Sequence, residues 1–380
     1  MKIRIGLFIK SKYITIILFC SIYIIKNSNA IFNNSIEEEI KNIESYLKLC
    51  ENTNLKELFF FKKKNNPRVS IISSVYNKDK YLLRFLKSIS YQNFKDIEII
   101  LINDCSMDNT LKLMKLYKNI DKRIILINNK KNFGTFRSRN IGILASKGDY
   151  VILPDPDDLL SKNSIKMLYT LAKKYNYEMI KFILYLGKNK IFMSRLLNET
   201  KNRPVFSPEI QTYLYYATGK LSYIDFDVAN KFIKRNSLIR SLNLLGKKYL
   251  NIYMNTYEDQ LLNFILHRTV NSFYFLKHIG YYYLMNQFSI TKRGFHPDDI
   301  KNIFTNLIII FNFSKNNNLE RNMFNYFFRH FVIKKCFLNR TNLFKRDIDY
   351  YIKAIDSFIK NDFVSINNKK YMKLLKKNII

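Results

Sequence analysis

A chain of 380 residues with 47% hydrophobic and 25% charged residues can bury a sizeable core, which excludes a disordered protein and suits one large domain or two modest ones. Its net charge of +34 would ordinarily point to nucleic acid, anionic membrane or phosphate-bearing ligands. Lys, Asn, Ile, Phe and Tyr are abundant along the whole chain, so the charge reads as a diffuse solvated surface, and nucleic acid is not an expected partner.

The first thirty residues read as a targeting element. Lys2, Arg4, Lys10 and Lys12 precede an uncharged apolar run from Tyr13 to Ile25, and Ser28 and Ala30 supply the small residues of a cleavage site. Residues 1–30 are therefore expected to be a signal peptide or a short signal anchor, a possible membrane tether, with the body in the lumen of the secretory pathway. The polar, charged stretch 31–66 reads as a stem. From Pro67 the pattern changes. An apolar, β-branched run over 69–75 predicts a strand, and Leu82, Phe85, Leu86 and Ile89 at helical spacing predict the helix after it. The alternation continues with strands over 97–102, 124–127 and 150–153 and helices over 111–117 and 136–145. A helix over 162–175 and a strand over 179–184 lead into a mixed region ending near Thr291. Alternating strands and helices imply parallel pairing with helices on both faces of one sheet. Residues 300–313, 321–337 and 348–359 carry apolar residues at helical spacing and predict a helical C-terminal region over 292–380.

Ligands of such sheets bind beyond the carboxyl ends of the strands. Those positions are polar here: Tyr76 and Asn77, Asn103 and Asp104, then Asp155, Asp157 and Asp158. Cys20, Cys50, Cys105 and Cys336 show no C-x-x-C pair and the four His lack ligand spacing, so any metal has to be held by carboxylates. Three carboxylates on the turn 155–158 crowd unfavourably without a cation, and hard ions such as Mg²⁺ or Mn²⁺ take oxygen ligands of this kind together with substrate phosphates. Spacing alone leaves a second reading open, an acidic turn capping a helix that starts near Ser161. Glu258 and Asp259 precede Leu261, Leu262, Ile265 and Leu266, which places both carboxylates in the first turn of a helix, where the dipole stabilises the anion. Such a group is either kept ionised to accept a proton or is ordinary helix-start chemistry.

Asn132, Gly134, Arg139, Asn140 and Gly142, then Ala145, Gly148 to Leu153, Asp155, Asp157 and Asp158, closely resemble the N-x-G-x-x-x-x-R-N-x-G, A-x-G-(D/E)-Y-(I/V), D-x-D-D signature of family 2 glycosyltransferases. Residues 67–77, 102–110, 230–235 and the Glu258–Asp259 pair resemble further elements of that family, so the resemblance covers 67–291. It implies a GT-A nucleotide-diphospho-sugar transferase fold, a mostly parallel α/β sheet with helices on both faces. It implies that Tyr76, Asn77 and Asp104 line the nucleotide base with Arg139 nearby, that Asp155 lies near the ribose and the metal, and that Asp157 is the principal ligand of Mn²⁺ or Mg²⁺. Asp259 becomes the general base of an inverting transfer from a nucleotide-diphosphate sugar, UDP-linked in the first instance, to a hydroxyl of a glycan, glycoprotein or glycolipid. Asn103 and Cys105 stand where the family often has Asp and Gly, which weakens the base-binding corner. Lys292 and Arg293 either close over the diphosphate or form a solvated loop. The first strand lacks a following G-x-G-x-x-G, against a dinucleotide-dependent oxidoreductase. No Q-x-x-R-W, Trp or second long apolar run accompanies the signature, against a processive synthase and for one sugar per encounter. A catalytically silent, transferase-like module that binds a glycan or anionic membrane is the alternative, and intact Asp157 and Asp259 speak against it.

Overall fold

The computed structural model describes residues 65–186, 190–192, 204–207, 209–210, 227–284, 296–328, 348–362 and 364–379, with Ser45. The N-terminal segment, most of the stem, and Lys292 and Arg293 lie outside the described residues. Among the described residues no helix is long and apolar enough to cross a membrane.

The predicted alternation is present. Strands β1 (Val69–Val75), β2 (Ile97–Asn103) and β3 (Ile124–Asn128) alternate with helices α1 (Asp79–Ser90), α2 (Thr110–Ile120) and α3 (Thr135–Ala145). They are followed by β4 (Tyr150–Ile152), β5 (Leu159–Leu160), α4 (Ser164–Tyr175) and β6 (Met179–Leu186). β2 is buried along its entire length and β1 at all but one position. That explains why both read as continuous apolar runs rather than as alternating ones. Burial on two faces needs two layers of helices. Leu82, Phe85 and Leu86 of α1, Met114 of α2 and Leu168 of α4 pack with Val69, Ile71, Ile99 and Leu101 on one face. On the other face α3 lies so close that a Cβ added at Gly142 would sit 2.3 Å from Ile72 Cγ2.

Beyond β6 the chain adds β7 (Lys190–Phe192), β8 (Val205–Phe206), β9 (Lys231–Lys234), α5 (Arg235–Leu245), α6 (Lys247–Leu250), α7 (Glu258–Thr269) and β10 (Ser272–Tyr283). The order β3-β2-β1-β4-β9-β6-β10-β5 forms one mixed sheet, with β7 on β6 and β8 on β10. Pairing is parallel through β3-β2-β1-β4, as expected, and again between β6 and β10. β9, within the mixed region expected after the strand over 179–184, runs antiparallel between β4 and β6. Register aligns Val75 with Asn103 and Asn103 with Asn128, so the carboxyl ends of β1, β2 and β3 finish in one row.

The C-terminal region is helical as expected: α8 (Pro297–Phe313), α9 (Asn318–Phe327), α10 (Ile348–Ile359) and α11 (Ile366–Ile379). α11 lies beyond the three expected stretches, and the second of those is described only as far as Phe328. α8 opens with a capping box in which His296 accepts from Asp298 N and Asp299 accepts from His296 N. It packs against α7, α9 and α10.

Candidate active site

The row of strand ends carries three loops tied together by side chains. Asn77, in the left-handed region at φ 50°, accepts from Met107 N at 2.8 Å and donates its own N–H to Ser106 Oγ at 3.0 Å. Asp104 is buried, and its carboxylate accepts from Asn129 Nδ2 (2.9 Å), Phe133 N (2.8 Å) and Gly134 N (2.9 Å). It therefore shapes the 129–134 loop from beneath. Asn103 Nδ2 donates to Asn128 Oδ1 at 2.6 Å, which ties the ends of β2 and β3. Tyr76, 39% exposed, presents its ring at the end of β1. Cys105 is a free thiol at φ 62°.

The turn after β4 is held from several sides. Ser73 Oγ donates to Pro154 O (2.9 Å), Asp155 N donates to the Tyr281 hydroxyl (3.0 Å), and Arg84 Nη2 donates to Asp157 O (2.8 Å). Asp158 lies beneath, accepting from Tyr281 Oη (2.7 Å) and Leu284 N (2.8 Å). Lys78 Nζ pairs with Asp157 at 2.6 Å. The capping alternative is answered by the helix itself: α4 starts only at Ser164 behind Asn163, while Asp155 and Asp158 turn to other partners.

Arg139 joins this turn to the start of α7. The guanidinium is 3% exposed; its Nη2 donates to Asp155 Oδ1 at 2.8 Å, and its Nη1 donates to Glu258 Oε1 at 3.2 Å and to Asp259 Oδ1. A rigid fork with several N–H donors suits such convergence better than a lysine ammonium. Burial works against the Arg139 charge, but Asp259, Asp155 and Glu258 outweigh it and hold the guanidinium protonated. One cation shared by three carboxylates leaves surplus negative charge. Burial first, then the Asp259 and Asp157 charges opposed by Arg139, pushes Asp155 up to about 6. Burial and the neighbouring Asp259 push Glu258 up to about 8 against the same arginine. Burial with the Asp157 and Asp155 charges also raises Asp158 well above the usual carboxylate range.

The residues expected from the sequence thus fall into two groups. Asp155, Arg139 and Asp259 converge on one guanidinium, with Asp157 two residues away on the same turn, whereas Tyr76, Asn77 and Asp104 belong to the loops after β1 and β2. Lys78 and Tyr281 are partners that the sequence did not single out, and Glu258, singled out only as the neighbour of Asp259, shares the same guanidinium. Lys78 directly follows the Tyr76–Asn77 pair and Glu258 adjoins Asp259, so position offered a signal for both. Nothing local marks Tyr281. Asp155 and Asp157 are hard oxygen donors at a locus of excess negative charge, and they fit a divalent cation that takes its remaining ligands from phosphate and water. Among the described residues no cluster of three or more His, Cys, Asp or Glu forms a closed metal cage.

Residues 70–240 match the family model described as Glycosyl transferase family 2. Those residues, less than half of the chain, form a family 2 glycosyltransferase domain. An uncharacterized glycosyltransferase of Haemophilus influenzae is 37% identical over 113 residues, 30% of this chain and 35% of the relative. A cholesterol galactosyltransferase of Borreliella burgdorferi is 30% identical over 180 residues, 46% of this chain and 50% of the relative. The chain therefore spans half or less of the length of these relatives. The crystal structure of residues 1–349 of S. aureus TarS in complex with UDP-GlcNAc superposes with a TM-score of 0.59 at 19% identity, covering 82% of this chain and 89% of that one. At that identity the likeness speaks for the GT-A fold. In the family 2 domain the matched segment contains Arg139, Asp155 and Asp157, whereas Glu258 and Asp259 follow its end.

Proposed function

We propose that the protein transfers a single sugar from a nucleotide-diphosphate sugar, UDP-linked, to an acceptor hydroxyl on a glycan, glycoprotein or glycolipid, with inversion at the anomeric carbon. The observation that carries this reading is the Arg139 guanidinium, which holds Asp155 of the turn and Asp259 of α7 at one locus. Donor and acceptor chemistry need such adjacency. Asp259 takes the acceptor proton while the acceptor oxygen forms its bond to the anomeric carbon. The bond from that carbon to the diphosphate oxygen breaks as the electron pair leaves with the nucleoside diphosphate. Attack opposite the leaving group inverts the centre. Asp155 and Asp157 would hold the divalent cation, Mn²⁺ or Mg²⁺, whose chemistry there is to offset charge on the departing diphosphate. Tyr76 offers a ring face to the nucleotide base, and Asp104 supports that pocket by fixing the 129–134 loop.

The test is a panel of UDP-, GDP- and dTDP-sugars incubated with the full chain in Mn²⁺ or in EDTA, with released nucleoside diphosphate as the readout. Release from one base class, in Mn²⁺ only, is expected. Binding of the same compounds with no release under any condition would instead establish a silent binding module. On the charge pattern of residues 1–30 we further propose that the body lies in the lumen of the secretory pathway. In a protease-protection experiment on membrane vesicles the full chain is then expected to be shielded, and a digestible body with an intact N-terminus would contradict that placement.

A further inference from the structure

The family match ends at residue 240, so the helices that follow residue 296 lie outside it. The face of α8 toward the protein is apolar, with Ile303, Phe304, Leu307 and Ile310 all buried. Asn302 and Asn306, one turn apart on the same helix, are each only 3% exposed. A buried amide destabilises unless it is bonded, and here both point their donors at one short segment. Asn302 Nδ2 donates to Asn255 Oδ1 at 3.0 Å and to Thr256 Oγ1 at 2.8 Å, and Asn306 Nδ2 donates to the Tyr257 carbonyl at 2.6 Å. Asn306 Oδ1 meanwhile is buried without a partner, a cost that a leucine in the same apolar surroundings would not carry.

The segment so held is a strained one. Tyr257 sits at φ 63°, in the left-handed region that bulky side chains avoid, and it is the residue directly before Glu258 and Asp259. Its other flank is fixed by α3, the helix that carries Arg139. Phe136 N donates to Met254 O at 3.0 Å, and Asn140 Nδ2 donates to Leu250 O at 3.2 Å. Gly134 permits this approach, because its φ is +81° and a Cβ there would lie 2.8 Å from Met254 O. Residues 250–257 are therefore clamped between α3 and α8, and α7 starts directly at the end of this segment.

We propose that Asn302 and Asn306 are positioning residues for sugar transfer: the C-terminal helical region completes the active site by fixing the 255–257 segment, which aims Asp259. This rests on the reading of Asp259 as the general base. It gives the region beyond the matched domain a positioning part in the reaction.

The full chain carrying Asn302→Leu, Asn306→Leu or both is compared with wild type in three measurements. The midpoint of thermal unfolding is expected to fall only modestly, since leucine suits the apolar face but leaves the acceptors of residues 255–257 without these donors. Amide hydrogen exchange over residues 256–260 is expected to accelerate at least about tenfold while β1 and β2 stay protected. UDP release, with the most active of UDP-glucose, UDP-galactose, UDP-GlcNAc and UDP-GalNAc and with water as acceptor, is expected to show kcat falling about 10- to 100-fold at unchanged KM, the scale of a misplaced catalytic group. Added to Asp259→Asn, the leucine substitutions are expected to cost nothing more, because residues acting through one group are not additive. Unchanged exchange at 256–260, unchanged kcat where Asp259→Asn is slow, or losses that multiply with Asp259→Asn would each overturn the proposal. Asp259→Asn turning over at the wild-type rate would overturn the base reading instead. Should the leucine variants fail to fold, Asn255→Ala combined with Thr256→Val removes the acceptors of Asn302 from the loop side, and the same kinetic and exchange signatures are expected.

Discussion

Arg139 stands at the centre of an unbalanced charge group: Asp155, Glu258 and Asp259 face one guanidinium, and burial adds to their mutual repulsion. The group settles by leaving Glu258 protonated near neutrality, since its carboxyl is pushed up to about 8. That has a consequence for stability. Below the ordinary glutamate value of 4.5 both folded and unfolded chains carry this proton. As pH rises from there toward 8 only the unfolded chain releases it, so the native state binds more protons and stability falls across the window. Glu258→Gln cannot titrate and lacks this slope. Urea unfolding at pH 5 and pH 8 is expected to show the variant gaining on wild type by at least about 1.4 kcal/mol, the equivalent of one pKa unit. A difference that stays constant with pH would show that Glu258 is ionised throughout.

Among the elements, α3 tolerates little added bulk, because it lies directly on β1 and β2. An added Cβ at Gly142 would meet Ile72 Cγ2 at 2.3 Å and Ile102 Cδ1 at 2.8 Å, and both isoleucines are fully buried. Gly142→Ala is expected to destabilise by about 1–3 kcal/mol through overpacking, reduced by about 1 kcal/mol of better helix propensity. Chemical denaturation measures this, and an unchanged midpoint would mean that α3 can retreat from the sheet freely. The same packing decides what the sequence reveals. β1 and β2 are legible because burial on both faces demands unbroken apolar runs. β9 and β10 are hidden for the opposite reason. β9 reads Lys-Phe-Ile-Lys, with Lys231 fully buried and donating to the Asp227 carbonyl. β10 mixes Lys277 and His278 with aromatics and shifts register on either side of Ile279, so no period of two survives. α7 is legible from its apolar spacing. The contact between its first turn and Arg139 is not, because 120 residues separate Arg139 from Asp259.

At the scale of the molecule, the resemblance to family 2 glycosyltransferases pointed to Asp155, Arg139 and Asp259 one by one but not to the ion pairs that join them. In the fold the guanidinium of Arg139, which the resemblance implies lies near the nucleotide base, faces Asp155, Glu258 and Asp259. Nor could the resemblance say what the C-terminal helices do, since their role depends on two asparagines that look like compositional background in so Asn-rich a chain. Under the proposed function the Arg139 locus brings a donor-binding turn and an acceptor-activating base together in one active site, and Asp259→Asn is expected to separate the two functions. The amide keeps the size of the carboxylate, and its oxygen can still accept from Arg139, so Asp155 stays in place; only the proton affinity is lost. In one preparation of the full chain, calorimetry with UDP and Mn²⁺ and a transfer assay with the donor found in the panel are compared between variant and wild type. UDP affinity within about twofold of wild type is expected, together with a transfer rate lower by about 10²- to 10⁴-fold. Equal transfer rates, or loss of UDP affinity with the metal present, would contradict the account.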